Sequence, residues 1–144
     1  MSINFNNSFF QNDYSTKKGV IRFQPNDEKI FVKSKGSIHI IFLKEICYIE
    51  RVGRKSIINL YNSRQIMCNE SLKNLYQTLC KHNFFRSHQS FIIAINQVEE
   101  IQIDNDRREY LIKLRNSKSP VLLSKLKYSE LKDLLIQGSS WLVN

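Results

Sequence analysis

A chain of 144 residues, 42% of them apolar, has room for one ordinary packed domain or one domain and a tail, and its composition excludes a disordered or fibrous protein. Twenty-two Lys and Arg stand against 13 Asp and Glu, and the net charge of +9 lies entirely after residue 28, where 19 bases face 10 acids; such a balance points to nucleic acid or an anionic surface as partner. No run of 18 apolar residues, no basic-then-apolar leader and no CxxC among Cys47, Cys68 and Cys80 are present, so the expectation is a cytoplasmic protein with reduced thiols, no membrane contact and no structural zinc.

Residues 1–27 are rich in Asn, Ser and Gln and read as a tail or linker, with one short strand near Val20 to Phe23. From Lys29 the pattern changes. IFVK, SIHIIF, ICYIERV, SIINLY and RQIMC follow closely, each rich in β-branched or aromatic residues. Turn signals at Lys35-Gly36, Gly53-Arg54 and Asn62-Ser63 separate most of them, while Leu43 to Glu45 offers no Gly or Pro to mark a break. NESLKNLYQTLCKH then sets Leu72, Leu75, Tyr76 and Leu79 at helical spacing, with Asn69 or Ser71 as cap.

FFRSHQSFIIAINQVEEI, residues 84–101, returns to strand. Arg86, His88 and Gln89 form a polar mouth ahead of the apolar Phe91, Ile92, Ile93 and Ile95. IQID and YLIKLRN follow, joined by a polar turn over residues 104–108, and Pro120 opens the strand VLLS. A last helix carries Tyr128, Leu131, Leu134 and Leu135 as its apolar stripe, with Gly138 as its end. The spacing is too short for parallel crossovers, so the expected fold is α+β, mostly β with two helices and antiparallel sheets. Residues 28–137 form the domain and residues 138–144 a C-terminal tail.

Catalytic patterns are missing. The chain contains no GxxxxGK[ST], GxGxxG, GxSxG or HExxH, and neither a metal nor another cofactor is expected. Cys80 and His82 lack a third ligand at suitable spacing, His39 reads as a half-buried strand residue, and His82 suits a helix C-terminus. Glu99 and Glu100 are expected on opposite faces of a strand, at a solvated edge.

What the chain does carry is bases at strand ends and turns: Arg51, Arg54 and Lys55 around Gly53; Arg64; Arg86 with His88 and Gln89; Lys125 and Lys127. Brought to one side, they would neutralise phosphates and read base edges. Three binding modes fit that composition. One is sequence-specific duplex DNA; one is a single-stranded nucleic acid or RNA stacked on Tyr48, Tyr61 and Tyr110; one is a protein or membrane partner held by the +9 surface.

The order IFVK…IxxxEICYIERVGRKSIINL…SLKNLYQTL…FFRSHQSFIIAINQVEEI…VLLSK resembles a LytTR-type DNA-binding domain over about residues 28–136. The resemblance implies a non-enzymatic bacterial transcription regulator, often the output domain of a response regulator. It also implies a mostly β fold whose loops at one end enter successive major grooves of promoter DNA. Carried over by position, the implied contacts are Arg54 and Lys55 in the turn, Arg64 on the following strand, Arg86, His88 and Gln89, and the segment Lys125 to Lys127. His88 is balanced between contact and structural hydrogen bond. Gln89 stands where the family often has Arg or Asn, Ala94 where Asn is usual, and Lys125 and Lys127 replace a typical Arg. The resemblance further implies paired promoter repeats, with a homodimer on DNA, and many such proteins carry a receiver domain in front. Residues 1–28 are too short for one, so the expectation is a stand-alone regulator or the output part of a longer one.

Overall fold

Short β-branched runs broken by turns build three antiparallel sheets and a separate hairpin. A computed structural model of the chain describes residues 14–16, 19–21, 23–106 and 108–137. Strands β1 (Tyr14–Thr16) and β2 (Gly19–Ile21) pair as the hairpin, where the sequence suggested a single short strand. Strands β3 (Lys29–Ser34) and β4 (Ser37–Phe42) form a two-stranded sheet. Their connection, Lys35 and Gly36, has φ of 50° and 79°, the paired positive values that a type I′ hairpin demands.

The central sheet has five strands in the order β7 (Gln65–Cys68), β6 (Lys55–Leu60), β5 (Ile46–Val52), β9 (Phe91–Ala94), β8 (Phe84–His88). Strands β10 (Val98–Asp104), β11 (Glu109–Leu114) and β12 (Val121–Leu123) form the third sheet. Helix α1 (Leu72–Leu79) and helix α2 (Lys125–Ile136) cover the sheets. Ser71 caps α1, its hydroxyl accepting the Asn74 N–H at 3.1 Å.

The central sheet separates two cores, because successive side chains leave a strand on opposite faces. Ile46, Phe84 and Ile92 join Val32, Ile41 and the α1 leucines on one side. Cys47, Phe85 and Ile93 join Ile112, Leu114, Val121, Leu123 and Leu131 on the other. A sheet buried on both faces needs continuous apolar runs rather than alternation. That requirement explains the Phe84-Phe85 pair and the run Phe91 to Ala94. Each fully buried Ile contributes roughly 1.5–3 kcal/mol through its burial.

Several sequence expectations change. Residues 84–101 are not one strand: β8 turns back at Gln89-Ser90 into β9, a 3-10 turn spans Ile95–Gln97, and β10 begins at Val98. Glu99 and Glu100 are both exposed, in keeping with a solvated edge; a register shift falls between Val98 and Glu100, and Glu99 lies 3.7 Å from Lys113. Leu43–Glu45 is a 3-10 turn closed by Glu45, whose buried carboxylate accepts the Phe42 N–H at 3.1 Å. Burial raises the pKa of that carboxyl above the usual 4.5. Packing begins before residue 28: Phe23 is buried and stacks on Phe42 with ring centres 4.5 Å apart. The helix end expected at Gly138 and the tail of residues 138–144 lie outside the described residues.

Candidate nucleic-acid interface

Three turns meet at one end of the central sheet. The first joins β5 to β6. Val52 pairs with Lys55, and Gly53 at φ 59° takes the left-handed position of the two-residue loop, which leaves Arg54 and Lys55 exposed. The second joins β8 to β9 through Gln89 and Ser90. The Arg51 N–H donates to the Ser90 carbonyl at 2.9 Å, which stitches the second turn to the first. The third is the start of α2, where the Ser124 N–H donates to the Ser87 carbonyl at 2.7 Å and sets Lys125 and Lys127 beside the outgoing end of β8.

Within the β8–β9 turn each polar side chain has a distinct setting. Arg86 Nη2 donates to the Gln89 carbonyl at 2.8 Å, so the guanidinium braces the loop while keeping further donors. His88 Nδ1 accepts the Ser90 N–H at 3.1 Å, and the ring lies 6.1 Å from that of Phe91. A ring nitrogen that accepts leaves Nε2 to carry the hydrogen, so His88 shapes the turn and retains one outward-capable donor. The Gln89 side chain is exposed at the tip.

Around the first turn, Arg51 Nη1 donates to Ser56 Oγ at 3.0 Å and to the Glu70 carbonyl at 2.9 Å, a bracing position. Lys55 Nζ donates to Asn69 Oδ1 at 2.5 Å. Lys127 Nζ lies 5.8 Å from the centre of the Phe85 ring and 3.4 Å from Glu130, while Lys125 is exposed.

Arg64 does not join this cluster. It precedes β7 in the β6–β7 turn, at the opposite end of β6 from Lys55, and its charge acts on Glu45 instead. Two further lysines, outside the turns picked out by the charge pattern, do come close. Lys33 and Lys35 line an open groove together with Lys55 and Asn69. The Ser34 hydroxyl donates to the Met67 carbonyl and holds that hairpin tip against β7. The sequence signal was the Lys35-Gly36 turn itself, read there as punctuation.

The tyrosines do not make an open stacking platform. Tyr48 and Tyr61 are half-buried, the former tilted 6.3 Å from Phe91 and the latter bonded to Gln97. Tyr110 packs edge-on to Tyr128 at 4.9 Å. Among the described residues no group of three or more His, Cys, Asp or Glu could hold a metal ion, and no helix is long and apolar enough to cross a membrane.

Comparison with known proteins places the fold and the family. The family described as the LytTr DNA-binding domain matches residues 36–136. The transcriptional regulatory protein NatR of Bacillus subtilis (strain 168) is 31% identical over 71 residues, which cover 49% of this chain and 30% of that regulator's length. Among solved structures, the fold is similar to the LytTr DNA-binding domain of a Bacillus cereus protein described as a methyl-accepting/DNA response regulator. That similarity has a TM-score of 0.63 at 23% identity, over 76% of this chain and 98% of that one. With strands, helices and family match in accord, the chain belongs to the LytTR family of DNA-binding domains.

Proposed function

We propose that the protein reads promoter sequences in double-stranded DNA by presenting its three clustered turns to successive major grooves, and so regulates bacterial transcription in the cytoplasm. The observation that carries this reading is the pair of backbone bonds, Arg51 to Ser90 and Ser124 to Ser87, that gathers the turns at one sheet end. Gln89 at the exposed tip pairs with adenine N6 and N7. Arg54, Lys55, Lys125 and Lys127 neutralise phosphates, and Lys33 and Lys35 extend that basic rim. Arg86 and His88 hold the Gln89 loop in place. Arg64, at the far end, has no part in this contact face. Two copies occupy paired repeats side by side.

The test is selection of bound duplexes from a random pool at two salt concentrations. Enrichment of a short repeated motif, with an adenine that changes to guanine for Gln89→Arg, is expected. Binding without any motif that merely falls with salt would mean phosphate attraction alone and would overturn the reading.

A further inference from the structure

The edge of an antiparallel sheet offers unpaired N–H and C=O groups to other chains, and most edges of this fold carry a device against that. Strand β10 bears Glu99, Glu100 and Asp104, β12 has only three residues, the end of β8 is bonded to the start of α2, and β7 has the β3–β4 hairpin tip against it. Strand β4 has none of these. It is six residues long, SIHIIF, without Lys, Arg, Asp, Glu, Pro or Gly. Among the described residues no strand other than β3 pairs with it. In a two-residue hairpin the flanking residues, here Ser34 and Ser37, exchange both backbone bonds, and the pattern then alternates. The Leu43 N–H bond to the Glu28 carbonyl at 2.9 Å keeps that phase. Ser37, His39 and Ile41 thus bond to β3, while Ile38, Ile40 and Phe42 turn their backbone groups to the open edge. Glu45 takes the Phe42 N–H. Among the described residues nothing bonds the outward groups of Ile38 and Ile40.

The side chains of the same strand agree. Ile38 and Ile40 are 62% and 58% exposed, and Phe31, across from Ile40 on β3, is 66% exposed. The lysines of that face, Lys29 and Lys33, stand on β3, one strand back from the edge. An antiparallel edge is complementary to itself about a two-fold axis. A second copy brings Ile38 and Ile40 against their counterparts and keeps the lysines of the two copies three strand spacings apart, about 14 Å. An acidic chain would find no cation on β4 to pair with. We propose that β4 seats a second copy of this chain, the two hairpins joining edge to edge as one four-stranded sheet. The contact is one strand wide, so the dimer is weak and forms as concentration rises. Salt strengthens it by screening the +9 on each copy. Antiparallel pairing points the two hairpin tips, and the reading ends beside them, in opposite directions. The association is therefore separate from side-by-side seating on repeats and does not rest on duplex reading.

Sedimentation of the full chain without DNA, over a concentration series at two salt strengths, measures the dimer. Amide hydrogen exchange by NMR at low and high concentration locates it. The wild-type protein is expected to dimerise, with the Ile38 and Ile40 N–H groups protected only at high concentration. Ile40→Lys sets like charges close to the axis and should abolish the dimer. Ile40→Pro removes one edge donor per copy, two bonds per dimer, and at about five-fold for each bond should weaken association roughly 25-fold. Phe31→Lys, one strand behind the edge, should leave the dimer intact. Circular dichroism checks the folding of each variant. Loss of the dimer in Phe31→Lys, with the Ile38 and Ile40 amides unprotected, would mean that the hairpins pack face to face. Protection at both concentrations would mean that another segment of the same chain fills the edge, and a monomer at every concentration would mean no self-association. Each of these three results overturns the proposal.

Discussion

Arg86 lies within the basic cluster, yet its resolved bond is to the protein's own backbone, and the two roles make different predictions. Arg86 Nη2 holds the Gln89 carbonyl at 2.8 Å across a loop of only two residues. A hydrogen bond of this exposed kind contributes about 1 kcal/mol. A bidentate Gln–adenine contact discriminates by about 1–3 kcal/mol and depends on where the loop places the amide. Arg86→Ala therefore weakens binding partly by letting Gln89 wander, and that part has nothing left to remove once Gln89 is alanine. The double variant should be less impaired than the sum of the single ones by roughly 1 kcal/mol, a five-fold effect on affinity. Anisotropy titrations of wild type, Arg86→Ala, Gln89→Ala and the double variant on one selected duplex measure this, repeated over a range of salt. A direct phosphate contact by Arg86 would instead lower the slope of log affinity against log salt by about 0.9. Effects that add to within about 0.3–0.5 kcal/mol, accompanied by that slope change, would refute the bracing role.

Other consequences follow from the cores. The Glu45 carboxyl is buried, and its folded pKa lies above the usual 4.5, so the native state binds its proton more tightly than the unfolded chain. Stability from this group is fully present below pH 4.5 and is lost as pH rises through the folded value. Glu45→Gln keeps an acceptor for the Phe42 N–H without the buried charge; it should melt higher than wild type at pH 7, with the gain shrinking below pH 4.5, and a lower melting temperature at pH 7 would contradict this account. Burial pushes the Cys47 thiol up to about 12, and Cys68 is also buried, whereas Cys80 is exposed. Iodoacetamide should accordingly label Cys80 alone in the native protein, as read by peptide mass, and prompt labelling of Cys47 would mean that the second core opens readily. Ile93→Ala empties a fully buried position in that core and should cost about 2–5 kcal/mol in urea unfolding, with the β5–β6 turn unaffected.

Much of the molecule was legible along the chain. Strand identity came from β-branched runs, α1 from leucines at helical spacing, and the turns from Lys35-Gly36, Gly53-Arg54 and Asn62-Ser63, because these signals are local: side-chain period and left-handed backbone are properties of a few neighbouring residues. The ordered motifs around FFRSHQSF also carried the family. The reversal at Gln89-Ser90 was hidden because that loop has no Gly or Pro, and because strands buried on both faces read as one apolar run. The 3-10 turn at Leu43–Glu45 was hidden because its signal is a buried carboxylate returning to the backbone.

Which bases share a surface was decided only by tertiary structure. Lys55 and Arg64 lie nine positions apart, yet antiparallel pairing sends them to opposite ends of β6, while Arg51 and Ser90, far apart in the chain, are bonded directly. Sequence sets the charge and its place relative to each turn. Strand order and direction set the end of the sheet at which that charge emerges, since a side chain's address in space depends on the strands beside it rather than on the residues before and after it.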